Sequence, residues 1–227
     1  MERIRISDMT MKQGSKELSL SFKEKIELSK LLDKLGVSVI ELEGIQNPRI
    51  DALRIKSIAM AVKESIVAVP VLLSAESVAA VWNAVKTAKY PRLQVCAPVS
   101  SVQMEYLHHK KPDAMKAAIA ATLAEACKVC RDVEFVADDA TRSDPQFLYD
   151  VIGAAITAGA KTVTVCDTAG AMLPDEFAAF VEGIYENVPT LKESTLGGAR
   201  ADPLSMADSC AIAAVRAGAR EIKAAAY

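Results

Sequence analysis

The chain has 227 residues, 51% of them hydrophobic and 25% charged, with a formal net charge of -2. That is enough chain for one large domain with a full core, and the near-neutral balance gives no general field for nucleic acid or an anionic membrane surface. No run approaches the roughly 18 apolar residues of a membrane helix, and Met1-Glu-Arg-Ile-Arg lacks a signal-peptide core, so a cytoplasmic protein is expected. Five cysteines at irregular spacing argue against a disulfide framework.

In chain order, strands are expected near Arg3–Ser7, Val37–Leu42, Val67–Leu72, Arg92–Ala97, Val133–Ala137, Thr162–Cys166, Ser194–Leu196 and Glu221–Ala225. Helices are expected near 21–35, 49–63, 76–87, 113–130, 144–158, 174–187 and 203–217. The pattern helix, glycine, β-branched strand recurs at Gly36, Gly159 and Gly218, where a left-handed cap suits glycine. Proline and acids open the helices at Ser143-Asp144-Pro145 and Leu173-Pro174-Asp175-Glu176. Strict alternation without a linker predicts a single α/β domain over 1–227, a (β/α)₈ TIM barrel. The chain stops just past strand eight, so the barrel is expected nearly complete but without its last helix. A neighbouring copy or a partner subunit should then cover the apolar strip beside strands eight and one.

Active sites in such folds gather at the carboxyl ends of the strands. Three strand ends carry chemistry: Asp8 to Gly14, Asp138-Asp139-Ala-Thr-Arg142-Ser-Asp144, and Asp167-Thr168-Ala-Gly170. The expected mouth holds Lys12, Gln13, Glu41, Glu43, Ser100, Asp138, Asp139, Thr168 and Arg200. Each has a plainer reading. Asp167-Thr168 is also a common strand-to-helix turn, and Asp139 with Arg142 also makes an ion pair over the strand ends. Gly197-Gly198-Ala199-Arg200 reads either as a phosphate-binding loop or as a relaxed one. His108-His-Lys-Lys111 reads as a solvated loop, and Cys127-Lys-Val-Cys130 as ordinary helix. Whether Lys12, Lys223 or both face inward is left open.

These motifs, in this order and joined by Ala213-Ala-Val-Arg-Ala-Gly-Ala-Arg220, resemble the isopropylmalate synthase, homocitrate synthase and HMG-CoA lyase family over essentially the whole chain. The resemblance implies a metallolyase barrel that joins or splits a carbon–carbon bond between a 2-oxo acid and an acyl-CoA unit, using a divalent metal. It also places this chain's departures. The family's Asp-Thr-Thr-Leu-Arg-Asp-Gly falls on Asp8-Met-Thr-Met-Lys12-Gln13-Gly14, so its arginine becomes Lys12 and its metal-ligating aspartate Gln13. Its His-x-His-Asn falls on Ala199-Arg200-Ala201-Asp202, and its glutamate after strand five on Asp138. A divalent metal is therefore not expected, no bound cofactor is assigned, and acyl-CoA enters only as a substrate. The residues now at these positions make Lys12 and Asp138 the candidate catalytic residues, Lys12 binding a carboxylate as a residual charge or, if desolvated, capturing a carbonyl as a Schiff base. Thr168 falls on the family's position for gripping the substrate carboxylate, and Arg142, Gln13, Ser100, Asp139 and Arg200 are expected beside it as binding residues for a small carboxylate. Two other readings stand beside this one: a non-catalytic or partner-dependent subunit, and a metal enzyme with ligands moved to Asp8, Glu43 and Asp138.

Overall fold

A computed structural model describes residues 3–14 and 20–225. Eight parallel strands close into a barrel in sequence order: β1 (Arg5–Asp8), β2 (Val39–Glu41), β3 (Ile66–Val71), β4 (Pro91–Pro98), β5 (Val133–Asp138), β6 (Thr162–Asp167), β7 (Thr195–Arg200) and β8 (Glu221–Ala224), with β8 pairing back onto β1. Around it lie α1 (Thr10–Gly14), α2 (Phe22–Leu35), α3 (Pro48–Ala61), α4 (Ala75–Val85), α5 (Ser101–Tyr106), α6 (Pro112–Val129), α7 (Pro145–Thr157), α8 (Pro174–Asn187) and α9 (Ala207–Arg216). The TIM-barrel expectation is met.

Local chemistry sets the boundaries. Ser21 and Glu24 close a reciprocal cap at the start of α2, and Gly36 ends it with φ of 86°. Gly159 and Gly218 take the same left-handed role at φ of 111° and 123°. Asp144 accepts the Phe147 amide behind Pro145, as its position before the helix predicts. Short α1 and α5 have no periodicity to betray them; Asp8 and Ser100 cap them by accepting the amides of Thr10 and Gln103. The last helix begins at Ala207, later than expected, because Asp202 accepts the Met206 and Ala207 amides and holds the preceding residues in a loop.

The expectation for Gly197 to Arg200 is corrected: this segment is strand β7, and its residues pair with β6 and β8. Glycine reads as loop, yet here it is dictated by crowding. A Cβ on Gly197 would lie 2.5 Å from Thr164 Oγ1. That hydroxyl donates to Glu134 at 2.7 Å and cannot swing aside without breaking a buried bond. Gly197→Ala should therefore cost about 1–3 kcal/mol, measured as a fall in the urea midpoint.

Apolar side chains from the outer strand faces and the inner helix faces form the core between barrel and helices. No helix follows β8 among the described residues. Ile6, on the outer face of β1, is 40% exposed. On α2, Asp33 accepts the Lys63, Glu64 and Ser65 amides, which turns that flank toward the end of α3. At 100° per residue Leu28, Leu31 and Leu35 fall on the opposite flank of α2. Leu31 and Leu35 are exposed.

Candidate active site

The barrel interior is polar where such barrels normally stack branched aliphatics. Alternate residues of β4 (Arg92, Gln94, Cys96), β6 (Thr162, Thr164, Cys166) and β8 (Glu221, Lys223) supply it, with Glu41 from β2 and Glu134 from β5. Five side chains close a hydrogen-bonded ring. Lys12 Nζ donates to Glu41 Oε2 at 2.8 Å and to Gln94 Oε1 at 3.3 Å, and Gln94 Nε2 donates to Glu134 Oε2 at 2.9 Å. Lys223 Nζ closes the circuit between Glu134 Oε1, at 2.8 Å, and Glu41 Oε1. Ser7 donates to the same Glu41 oxygen at 2.7 Å. Glu41, Gln94 and Glu134 are fully buried. Lys223 is nearly so, while the Lys12 side chain is 24% exposed and forms the mouth side of the ring. Both lysines face inward.

Burial alone would strip these lysines of their protons. It is outweighed for Lys12 by the Glu41 carboxylate and for Lys223 by Glu134 and Glu41, so both pKa values rise. Burial also works against the Glu41 carboxylate, and Lys223 and Lys12 together hold its pKa well below the ordinary range. Lys12 is therefore a held ammonium. A Schiff base needs the free amine, which this pairing suppresses.

Below the ring, Arg92 lies 2.8 Å from Glu221, 3.5 Å from Glu134 and 3.1 Å from Asp132. At the mouth stands Asp138, at the end of β5. Burial pushes its carboxyl up to about 6, against the opposing pull of Lys12, the Cys166 thiol and Lys223. Cys96 is pushed up to about 12 by its own burial, which keeps it a neutral thiol. A carboxyl raised by folding stabilises the protein fully below its unfolded pKa of 3.8 and loses that contribution as pH rises through about 6. Asp138→Asn should therefore exceed the native protein in stability by about 1–3 kcal/mol at pH 8 and lose the advantage below pH 4, in paired denaturant titrations.

The remaining expected residues divide. Arg142 grips Asp139 through two bonds, 2.7 Å and 2.8 Å, and about half of its side chain stays exposed. Thr168 is exposed and accepts the Asp139 amide at 2.9 Å through its hydroxyl oxygen, leaving the O–H to donate outward. Asp139 itself is buried at φ of 60° and also accepts Ser100 at 2.5 Å. Ser100 spends its lone pair on capping α5. Asp139 and Ser100 thus build the loop that presents Arg142 and Thr168. Asp167 is a turn organiser, accepting Thr141 Oγ1 and the Gly170 and Met172 amides. Gln13 is exposed on α1. Glu43 is paired with Lys25 and Arg54, away from the ring. The Arg200 side chain is buried, its guanidinium on the carbonyls of Gly170 and Met172 and 3.7 Å from Asp167, so it staples the loop after β6 to β7. Among the described residues, no group of three or more His, Cys, Asp or Glu side chains is placed to hold a metal ion. Of the ring partners, Glu41 was expected at the mouth and Lys223 was a candidate of open facing, whereas Gln94 and Glu134 were not named. Their signal was the period-two polar pattern within strands otherwise buried on both faces.

Comparison with known proteins gives the kinship. An HMGL-like family model matches residues 3–226. The chain is 37% identical over 227 residues to 2-isopropylmalate synthase of Carboxydothermus hydrogenoformans, covering 98% of this chain and 44% of that one. It is 32% identical over 226 residues to 2-isopropylmalate synthase of Clostridium kluyveri, covering 99% and 44%. It thus spans less than half the length of these curated relatives. HMG-CoA lyase of Bacillus subtilis superposes with a TM-score of 0.78 at 15% identity, covering all of this chain and 78% of that one, which is a likeness of fold. Family model and relatives agree, and the chain belongs to the HMGL-like family.

Proposed function

We propose that this protein binds a small 2-oxo or 2-hydroxy carboxylate at the barrel mouth without the family metal, and retains acyl-CoA condensing or lyase chemistry on it. The observation that carries the reading is Lys12: an ammonium held at the mouth by the ring and partly open to solvent. Its charge polarises a ligand carbonyl. The outward Thr168 hydroxyl and the remaining edge of the Arg142 guanidinium receive the carboxylate, and Asp138 gives or takes a proton near pH 6. A cleft of about 510 Å³ between α5 and the start of α6, lined by Met104, Glu105, His109, Lys110 and Lys111, suits the anionic end of an acyl-CoA. The donor set does not suit a divalent cation: Gln13 offers a neutral amide, Ala199 and Ala201 offer methyl groups, and the Asp8 carboxylate is engaged by Thr10.

Thiol release from acetyl-CoA with a panel of 2-oxo acids tests this. Release that persists in EDTA and disappears in Lys12→Met is the expected result; release only with Mg²⁺ or Mn²⁺ contradicts it. Carboxylate affinity should also tighten severalfold as pH falls from 7.5 to 5.5, because Asp138 then takes a proton and stops opposing the ligand. An affinity that weakens over that range would remove Asp138 from the site.

A second reading is favoured by the exposed apolar side chains of Ile6, Leu31 and Leu35. It makes the chain a subunit whose apolar edge is covered by another copy or a partner, binding a metabolite without turnover. Sedimentation at micromolar concentration should find a species larger than the monomer; a strict monomer overturns the self-association.

A further inference from the structure

We infer that Lys223 is a positioning residue that keeps the Lys12 charge available to an anion at the mouth, acting through the carboxylate they share, Glu41. The inference rests on the reading of Lys12 as the anion-binding group. One carboxylate neutralises one ammonium, and Glu41 is divided between two: Oε2 faces Lys12 at 2.8 Å, while Oε1 faces Lys223 and Ser7. Lys12, Glu41 and Lys223 together carry one net positive charge. The second carboxylate on Lys223, Glu134, is itself divided among Thr164 at 2.7 Å, Gln94 at 2.9 Å and Arg92 at 3.5 Å. Further down, Glu221 and Asp132 meet Arg92, and Arg5 lies 3.7 Å from Glu221. Among the described residues the charges therefore place an excess of cations in the upper trio and an excess of anions below it, with Asp138 a further ionisable carboxyl that feels the Lys12 charge at the mouth.

Remove Lys223, and Glu41 turns wholly to Lys12 and quenches it. The lysine also fixes direction. Its bridge from β8 to β2 and β5 pins Glu41 from the side opposite Lys12, so Lys12 Nζ is drawn to one carboxylate oxygen and to Gln94, both held in place.

Lys223→Met alone leaves two buried carboxylates short of a partner and risks the fold. The informative variant is Lys223→Met with Glu134→Gln, which removes one charge of each sign from the ring. The probe is pyruvate by calorimetry at pH 7.5, together with the Lys12 Cε resonance in protein carrying ¹³C-lysine, assigned with Lys12→Arg. The double variant should melt within a few degrees of the native protein, bind pyruvate at least tenfold more weakly and show a displaced Lys12 resonance. Lys223→Arg, which keeps a cation between both carboxylates, should bind within threefold of native. A folded double variant with native affinity and an unmoved Lys12 resonance overturns the inference. If the native protein binds no pyruvate, the carboxylate reading fails by itself, and the Lys12 resonance decides the positioning role.

Discussion

Glu41→Ala is expected to cost about 3–5 kcal/mol of stability, because it removes the carboxylate that two ammonium groups share inside the barrel. Glu41 is fully buried and holds Lys12, Lys223 and Ser7. Replacing it by a methyl group leaves Lys223 with Glu134 as its remaining carboxylate among the described residues and favours loss of a proton or entry of water at the vacated position. Against a total stability of about 5–15 kcal/mol, this approaches unfolding. Glu41→Gln keeps the shape and the hydrogen-bond acceptor but not the charge, and should fall between the two. Equilibrium unfolding in urea measures the difference. A Glu41→Ala protein within 1 kcal/mol of native would mean that the ring is not the buried, paired network described.

Lys12→Met is the second large effect, and it is a functional one. The side chain lies at the mouth side of the ring, and after its removal Glu41 keeps Lys223 and Ser7 while Glu134 keeps Lys223 and Gln94. The fold should survive with a modest loss. Ligand binding should not: a hydrogen bond to a charged group contributes about 1.5–3 kcal/mol, or roughly 10- to 150-fold in affinity. The same substitution should raise the Asp138 pKa above about 6, since Lys12 is the strongest influence holding it down. An unchanged Asp138 titration, followed by NMR, would separate the two residues.

The barrel was legible because its information is local and repeated. Gly36, Gly159 and Gly218 mark three helix ends by backbone conformation alone, and β-branched runs follow each. Strand β7 was underestimated because Gly197 and Gly198 carry no strand propensity; the reason for Gly197 lies on the neighbouring strand β6, in the Thr164 hydroxyl. Of the candidate site, Lys12, Asp138, Arg142 and Thr168 were named from the segments that follow the strands. Arg200 was named for the mouth, yet its guanidinium turns toward the Gly170 and Met172 carbonyls, a direction the sequence does not encode. The ring as a whole was not read for a related reason. Glu41 was expected at the mouth and the facing of Lys223 was open, but Gln94 and Glu134 lie within strands, and only closure of the sheet brings β2, β4, β5 and β8 to one axis.

The most direct measurement is calorimetric titration of native protein and Lys12→Met with 2-oxo acids, in EDTA and again with excess Mg²⁺ or Mn²⁺. A mouth that binds carboxylate through a held ammonium predicts the same affinity in both buffers and its loss in Lys12→Met. Binding that appears only with the metal, or that Lys12→Met leaves intact, would contradict it.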